Sequence, residues 1–428
     1  MLRFLTITRS GLRSRRWMSV MSFGDNSQGA LGLHDFPLGL ASDAYDPTPI
    51  PGLPPDVCAV AAGHYHSLAL TSEGHVWAWG RNTESQLGRG PFSPRETWNK
   101  PQKVEGLDKV MVRSAFASGV VSAAIGDDGA LWVWGKSKRG QLGLGKDITE
   151  AVLPARVESL LGQEIVKVSL GWGHVLALTK HGKLFGWGYY ADGRLGRMGR
   201  SLEASPLDSI AEKVKSSSEN QNMMIEAAEK LVSEAMEKEK DMPIIWEPTL
   251  IEEVGDAEVA DVACGLDHSL ILCRDGTLLS GGSNVYGQLG RVTEGLGLHV
   301  VDLGLRPISV ASGLGHSLAI CSAEDGPTLV TWGWNQSSQL GRDGPENTPL
   351  VVGSLAGEVP VSVSGGRVHS IAVTEKREVW SWGCGRNGRL GVGSSADEAE
   401  PVLVEYLEGS DVLQAVAGFD HNLVLVHE

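Results

Sequence analysis

Residues 63–88, GHYHSLALTSEGHVWAWGRNTESQLG, contain the pattern that decides the fold of this 428-residue chain. The pattern runs from G-x-x-H-S through an apolar strand and a turn to a strand that ends in W-G, and a short loop then ends in Q-L-G. Six copies begin at Gly63, Gly119, Gly171, Gly265, Gly313 and Gly366. A repeat of about fifty residues is the length of one four-stranded blade of a β-propeller, in which each sheet packs against its neighbours.

The two ends of the chain each carry half of a seventh copy. GFDHNLVLVHE begins at Gly418 and stops after one strand, while VMSFGDNSQGALG from Val20 aligns with VWAWGRNTESQLG from Val76. Pairing the two halves in one sheet closes the ring and removes the unpaired edges that an open array would leave. The sequence therefore predicts an all-β, seven-bladed β-propeller closed by its N- and C-terminal strands.

The first eighteen residues differ in composition from the repeats. They contain five arginines and several hydroxyl residues, with no acidic residue before Asp25, which is typical of a mitochondrial or plastid transit peptide. Arg16 lies three residues before Ser19, a spacing that resembles matrix-processing sites. We therefore predict a transit peptide over residues 1–18, a propeller over 19–200 and 243–428, and a location in the mitochondrial matrix, with the plastid as the alternative.

Residues 201–242 interrupt the third copy with a sequence that has no strand pattern. Its apolar residues recur at helical spacing, namely Ile225, Ala228, Val232 and Ala235. Residues 201–261 contain sixteen carboxylates and five lysines, a net charge of −11. We predict an acidic helical insert, which is either a solvated surface excursion or a partner-binding arm, because propellers place specificity in insertions on one face.

The net charge of −15 becomes about −20 when the five presequence arginines are subtracted, and this balance disfavours a protein that coats a nucleic acid backbone. One local exception is a set of arginines that directly follow the L-G of four copies: Arg89, Arg197, Arg291 and Arg342. Because equivalent positions in a ring lie on one face, these residues predict an arginine rim that contacts phosphate or RNA. Solvated loop arginines are the alternative.

The sequence offers no catalytic constellation. The repeat histidines His66, His174, His268, His316, His369 and His421 occur once per blade, so they cannot converge on one metal ion, and we interpret them as structural. Gly383–Gly388 reads G-x-G-x-x-G, but strand and turn sequence follows it instead of a helix, which excludes a dinucleotide loop. The five cysteines include no C-x-x-C pair. We predict no catalytic residue, no bound metal and no cofactor.

The G-x-x-H-S, W-G and G-Q-L-G motifs resemble those of the regulator of chromosome condensation repeat family over nearly the whole chain. The founding member is a nucleotide exchange factor for a small GTPase, and the resemblance implies that exchange would use aspartates in G-x-D-H loops of neighbouring blades. In this sequence that aspartate occurs as Asp267 and Asp420, three blades apart. The other copies have Tyr65, Val121, Gly173, Gly315 and Val368 at this place. Exchange activity on a small GTPase is therefore kept as an alternative function.

A further relative is the plant UV-B photoreceptor, for which the resemblance implies stacked tryptophans and arginines in G-W-R-H-T loops; Trp172, followed by Gly173, is the one match. This second alternative is weaker than the similarity to the family's mitochondrial members of plant type. That similarity implies a non-catalytic scaffold that supports organellar RNA processing, through intron splicing of respiratory complex I transcripts or ribosome assembly. The expected partners are organellar proteins, with RNA contacted directly or through them.

Overall fold

The computed structural model describes residues 17–33, 43–90, 95–197, 243–292 and 295–428. Within these ranges, seven four-stranded antiparallel sheets surround a central channel, and each sheet is one blade. This arrangement confirms the predicted seven-bladed propeller. Residues 1–16 of the predicted transit peptide and the whole predicted insert at 201–242 lie outside the described ranges.

Each blade contains four strands, ordered from the channel outward. Blade 1 contains β3 Val57–Ala62, β4 His66–Thr71, β5 Val76–Gly80 and β6 Gln102–Lys103. Blade 2 contains β7 Val112–Ala117, β8 Val121–Gly126, β9 Leu131–Lys136 and β10 Glu150–Arg156. Blade 3 contains β11 Ile165–Leu170, β12 His174–Thr179, β13 Leu184–Tyr189 and β14 Ile244–Leu250.

The remaining blades follow the same order. Blade 4 contains β15 Val259–Cys264, β16 His268–Cys273, β17 Leu278–Gly282 and β18 His299–Val300. Blade 5 contains β19 Arg306–Ser312, β20 His316–Ala323, β21 Gly326–Gly333 and β22 Leu350–Val351. Blade 6 contains β23 Pro360–Gly365, β24 His369–Thr374, β25 Val379–Gly383 and β26 Glu398–Leu403. Blade 7 contains β27 Asp411–Ala417, β28 His421–His427, β1 Met18–Gly24 and β2 Ala44–Pro49.

Short 3-10 turns are the helical elements of the described residues, and no helix among them is long and apolar enough to cross a membrane. They span Arg95–Thr97, Glu158–Leu160, Ala191–Gly193, Glu252–Val254, Gly353–Leu355, Arg386–Gly388 and Glu405–Leu407.

Blade 7 closes the ring as the half-copies predict. Strand β1 pairs with β28 without a register shift, from Met18 opposite His427 to Gly24 opposite His421. Inside the channel, the Gln414 side chain then joins blade 7 to blade 1. Its Nε2 donates to the Val60 carbonyl at 3.0 Å, and the Val60 N–H donates to its Oε1 at 2.9 Å. No sheet edge is therefore left open at the junction of the two chain ends.

The second strand of each blade lies in the core between neighbouring sheets. In β4 every residue is buried, and the same holds for β8, β12, β16 and β24. A strand that is covered on both faces is mostly apolar, and the buried polar residues of these strands are hydrogen-bonded, whereas the first strands alternate because one of their faces lines the channel. Burying these side chains between blades provides the main stabilisation of the ring.

Each W-G tryptophan fastens its blade to the preceding one. The Trp134 indole is fully buried and donates its Nε1 proton to the Gln86 carbonyl at 2.8 Å, and Ser122 Oγ donates to the same oxygen at 2.8 Å. The same indole bond is made by Trp79, Trp187, Trp332 and Trp382. A carbonyl with two lone pairs is thereby satisfied inside a closely packed junction.

The repeat histidines form a relay from blade to blade, which confirms their structural interpretation. His66 Nε2 lies 2.8 Å from Ser122 Oγ in the next blade, and because that hydroxyl donates to a carbonyl, it accepts the imidazole proton. The other pairs are His174 with Ser269, His268 with Ser317, His316 with Ser370, His369 with Asn422 and His421 with Ser67. Between blades 2 and 3, Val121 and Val175 occupy the two places instead, fully buried in one apolar cluster.

The leading glycine of each repeat makes room for the histidine three residues later. A Cβ at Gly63 would lie 2.5 Å from His66 Cε1, closer than side chains approach. Blade 2 departs from this rule in a consistent way. The N–H of Ser118 donates to the Val121 carbonyl just as the N–H of Gly63 donates to the His66 carbonyl. Where valine replaces the histidine, serine therefore replaces the glycine.

Candidate functional site

Two sets of loops share one face of the ring, which we call the loop face. The inner loops connect the first and second strands of each blade, and the outer loops follow the third strands. In blade 1 the two sets are joined by the Arg81 N–H, which donates to the Tyr65 carbonyl at 2.8 Å. The outer loops are residues 25–32, 81–88, 137–143, 190–196, 283–290, 334–341 and 384–391.

The inner and outer loops are more basic than the hairpin turns on the opposite face. Its inner and outer loops contain seven arginine and lysine residues and five carboxylates, a net charge of +2. The six hairpin turns between the second and third strands, on the opposite face, contain five bases and eight carboxylates, a net of −3. These loops thus carry a small net positive charge at one end of the channel of an acidic chain.

Seven residues surround the channel mouth on this face, one from each inner loop. This mouth ring consists of His64, Gly119, Trp172, Leu266, Leu314, Arg367 and Phe419. Backbone hydrogen bonds tie neighbouring members together, including Leu266 N–H to the Leu314 carbonyl at 2.8 Å and Arg367 N–H to the Phe419 carbonyl at 3.0 Å. The channel behind the ring is a cavity of about 440 Å³, lined largely by alanine, glycine and serine.

Three members of the mouth ring form an aromatic row that ends in arginines. The His64 ring lies 4.5 Å from Phe419 and 5.1 Å from Trp172, measured between centroids. His64 reaches Trp172 across blade 2 because Gly119, the blade 2 member of the ring, has no side chain. The Arg367 guanidinium lies 4.8 Å from the Phe419 centroid, and that of Arg139 lies 5.8 Å from Trp172. We call Trp172, His64 and Phe419 the aromatic row.

The row is uncharged between its ends and partly open to solvent. Burial, with a smaller contribution from the nearby His421, lowers the pKa of His64 to about 4, so its imidazole is neutral at neutral pH. Trp172 is 40% exposed, whereas His64 and Phe419 are half-buried. The row therefore offers aromatic ring surfaces, tilted by 35–37° from one ring to the next, between two cations, which suits an aromatic or planar ligand.

The two aspartates predicted by analogy with exchange factors are both held by arginines of the preceding blade. Arg194 donates to Asp267 at 2.6 Å and to Asp192 at 2.9 Å, and its side chain is almost fully buried. Arg389 lies 2.9 Å from Asp420, which also accepts two contacts from Arg367.

These arginines occupy the glutamine place of the repeat in the two copies that read G-R-L-G, and each is followed in the next blade by an aspartate. The copies with Gln86, Gln141, Gln288 and Gln339 are followed by valine or glycine at that place.

The predicted alignment was wrong in blade 2 by one residue. The Lys136 N–H donates to the Val120 carbonyl as Arg81 does to Tyr65, so Val120 and not Val121 stands at the aspartate place.

The structure corrects the predicted arginine rim at three of its four positions. Arg89, Arg291 and Arg342 are 6–8% exposed, and their guanidinium groups donate into their own blades. Arg342 contacts the carbonyls of Thr331 and Thr348 at 2.8 Å, and Arg89 contacts those of Thr97 and Lys100. These side chains fix the long connection between the third and fourth strands, so they are not placed to contact phosphate.

Arg197 is the one exposed member of the predicted rim. Its side chain is 62% exposed, its Nε lies 3.5 Å from Glu253 Oε1, and its backbone N–H donates to Glu253 Oε2 at 2.6 Å. It stands at the last described position before the gap at 198–242. The predicted partner-binding residues Ile225, Ala228, Val232 and Ala235 all lie in that gap, outside the described residues.

The other chemical candidates have structural surroundings. Among the described residues, no three histidine, cysteine, aspartate or glutamate side chains are grouped to hold a metal ion. Gly385 and Gly388 belong to the outer loop of blade 6, as the context of the G-x-G-x-x-G motif indicates. All five cysteines are unpaired, and burial raises the pKa of Cys264 and Cys321 to about 12, which suppresses thiolate formation.

Sequence reasoning missed the aromatic row and the arginines that hold the aspartates. The signal for Arg194 and Arg389 was present, because G-R-L-G departs from G-Q-L-G in two copies. For the row, the informative position was the residue after each leading glycine, where the seven copies differ most. A comparison of repeats records the residues that the copies share, so it overlooks this position, at which the copies differ.

Comparisons with known proteins agree with this architecture. A family model described as the RCC1-like domain matches residues 19–424. The ultraviolet-B receptor UVR8 of Arabidopsis thaliana is 29% identical over 398 residues, which cover 91% of this chain and 78% of that protein. The E3 ubiquitin-protein ligase HERC2 of Homo sapiens is 29% identical over 83% of this chain, but the chain spans only 7% of that protein. The match to HERC2 therefore concerns a small part of it.

One solved structure has a closely similar shape. Prp20p of Saccharomyces cerevisiae, described with its binding to Gsp1p and histones, aligns over 96% of this chain and 92% of its own, with a TM-score of 0.76 and 23% identity. At this level of identity the similarity concerns the fold, because one fold supports many functions.

Proposed function

This chain belongs to the RCC1-like domain family, and within that family we propose that it is a non-catalytic propeller scaffold that supports RNA processing in the mitochondrial matrix. The specific process proposed is the intron splicing of transcripts for respiratory complex I, and through it the biogenesis of that complex. The scaffold holds organellar splicing or ribosome-assembly proteins and RNA on its loop face.

The observation that carries this proposal is the aromatic row with its flanking arginines. Tryptophan, tyrosine and arginine are the residues that most often dominate binding surfaces, and in this chain Trp172 is exposed on a rigid ring. The ring is held by indole and imidazole hydrogen bonds at the junctions between blades, so the surface is preorganised. Such a surface binds partners without supplying a nucleophile or a general base.

The matrix location is supported by the composition of residues 1–18. Their five arginines and lack of acid favour import into an organelle, and Arg16 lies at matrix-processing distance from Ser19.

Nucleotide exchange on a small GTPase is less well supported by the geometry. Asp267 and Asp420 lie three blades apart, and each is engaged by a buried arginine of its own protein. Freeing either carboxylate for a partner would take a charge partner from a buried arginine, with Asp192 alone left to Arg194, and this loss costs about 3 kcal/mol. The similarity to Prp20p concerns the fold and does not supply the missing residues.

A UV-B receptor function has one observation in its favour, the contact of Arg139 with Trp172 in a chain 29% identical to UVR8. Trp172 is, however, the single tryptophan of the mouth ring, and the aromatic side chain in contact with it is His64. Unchanged oligomeric state and unchanged Trp172 environment under UV-B illumination would separate this chain from that function.

The proposal is tested in organelles that lack the protein. We expect unspliced complex I transcripts to accumulate and assembled complex I to fall, measured by intron-spanning reverse transcription and native gels. The native chain should restore both, whereas a chain without residues 1–16 should not, because it is not imported. Normal splicing of every mitochondrial intron in the null line would contradict the proposal.

A further inference from the structure

We propose that the aromatic row is a binding site for unpaired bases of single-stranded RNA, with Trp172 as the stacking platform. This inference rests on the proposed function and gives its scaffold a direct RNA contact. It also moves that contact from the buried arginines of the predicted rim to the mouth of the channel.

The shape of the site fits a base and excludes a duplex. Trp172 is 40% exposed beside His64, whose ring extends over Gly119 on the blade 2 side of the mouth. The 440 Å³ cavity behind the row lies within the range of pockets that hold small planar ligands. A base can enter such a mouth only when it is unstacked and unpaired, which is how proteins read single-stranded RNA.

Arginines lie at both ends of the row, and the positive charge that fits a phosphate backbone is concentrated at the blade 2 end. At one end, the outer loop of blade 2 contains Lys138 and Arg139 and no carboxylate. At the other end, Asp420 is shared by Arg367 and Arg389, and Asp25 lies close to both Arg389 and Asp420, so the two positive and two negative charges balance. Asp192 and Asp267 surround Arg194 and give one excess negative charge there. This group lies away from the row, in blades 3 and 4.

The neutral centre of the row has a consequence for salt dependence. Because the pKa of His64 is about 4, the row contributes stacking and no charge at neutral pH, while Arg139 and Arg367 contribute charge. Stacking on an aromatic side chain is nearly independent of salt, whereas each phosphate contact to a single strand adds about 0.7 to the slope of log Kd against log salt. The two contributions can therefore be separated by experiment.

The test uses the full chain and a fluorescein-labelled single-stranded RNA of twelve mixed nucleotides, with the same sequence as a duplex for comparison. The variant Trp172→Leu removes the ring but retains an apolar side chain, as Leu266 and Leu314 provide at the same place in blades 4 and 5. The matched control is Tyr406→Leu, which removes an exposed aromatic ring from the 3-10 turn Glu405–Leu407, outside the loop face. The presequence arginines are common to all the proteins compared.

We expect Trp172→Leu to weaken single-strand binding by about fivefold to a hundredfold, the range for loss of one stacked base, with an unchanged salt slope. Arg139→Gln should reduce the slope by about 0.7, and Tyr406→Leu should change neither quantity. Thermal unfolding within a few degrees of the native chain confirms that each variant is folded.

Three results would overturn the inference: no single-strand binding by the native chain, a preference for the duplex, or affinity of Trp172→Leu within twofold of native. If Trp172→Leu instead loses purified protein partners while the native chain binds no RNA, the row is a protein-docking surface. The scaffold proposal survives all of these results, because it fails only on the splicing measurement in the null line.

Discussion

Arg194 of blade 3 donates to Asp267 of blade 4 at 2.6 Å, and this ion pair replaces a glutamine and an apolar residue found at the same places in other blades. The pair identifies Asp267 as a residue that joins two blades of its own chain. The pair can be tested against a second junction of the same protein, because Gln339 and Val368 occupy the corresponding places between blades 5 and 6.

A double-mutant cycle at this junction should show strong coupling. Asp267→Val alone leaves the buried Arg194 charge with Asp192 as its remaining partner, and we expect a loss of about 3 kcal/mol in the free energy of unfolding. Arg194→Gln together with Asp267→Val should cost less than the sum of the single changes, with a coupling of about 1–3 kcal/mol. Urea unfolding at pH 7 measures all four proteins. Additive single changes would contradict the pairing.

A second cycle tests the histidine relay. Ser122→Val alone leaves the His66 imidazole N–H buried without an acceptor, which should cost about 1–3 kcal/mol. His66→Val with Ser122→Val reproduces the combination of Val121 and Val175 and should recover part of that loss. The relay account fails if the double variant is less stable than Ser122→Val.

The leading glycine gives a suppression test. Gly63→Ser places a Cβ 2.5 Å from His66 and should destabilise blade 1 by about 1–3 kcal/mol through overpacking. Adding His66→Val imitates Ser118 and Val121 of blade 2 and should relieve the clash. The measurement is the thermal midpoint of each variant, and the control is Gly52→Ser, where a Cβ would meet no atom within 4 Å. Because Gly52 has a positive φ, Gly52→Ser carries a backbone cost of about 1–2 kcal/mol, which should not respond to His66→Val.

Stability should fall as the pH drops below about 6.5, the ordinary histidine pKa. Burial lowers the pKa of His66, His268, His316 and His369 to about 3 in the folded ring. The unfolded chain therefore binds more protons than the folded chain below pH 6.5, so each such histidine removes about 1.4 kcal/mol of stability per pH unit until its folded pKa is reached.

Urea unfolding between pH 7.5 and pH 5 measures this slope before most carboxylates titrate. For the variant His66→Val, the free energy of unfolding should depend less steeply on pH, because the contribution of one buried histidine is missing. A free energy of unfolding that is constant from pH 7 to pH 5 would contradict the assignment of neutral buried imidazoles.

The repeats allowed the ring to be predicted in detail, but they gave little information on the site. Blade number and closure followed from the half-copies at Val20 and Gly418, and the structural role of the histidines followed from their spacing. The arginine rim failed because a repeat position gives the location of a Cα and not the direction of a long side chain. Arg342 turns inward because carbonyls of its own blade lie within reach.

The aromatic row was not predicted, although closure of the ring was, because the repeat pattern does not say which side chains of neighbouring inner loops contact each other. His64 and Phe419 are 355 positions apart in the sequence, yet their ring centroids lie 4.5 Å apart. The contact of His64 with Trp172 depends on the absence of a side chain at Gly119, and the alignment of blade 2 was displaced by one residue because Gly119 resembles a leading glycine. Ser118 holds that place, as its hydrogen bond to Val121 demonstrates.

The most direct measurement of the central claim is ultraviolet cross-linking of RNA to this protein inside intact mitochondria, followed by trypsin digestion and mass spectrometry. The account predicts a nucleotide attached to the peptide VSLGWGHVLALTK, residues 168–180, which contains Trp172. That cross-link should disappear from Trp172→Leu and persist in Tyr406→Leu. Cross-links confined to the hairpin turns or to residues 201–242, or RNA that does not cross-link to the protein at all, would contradict it.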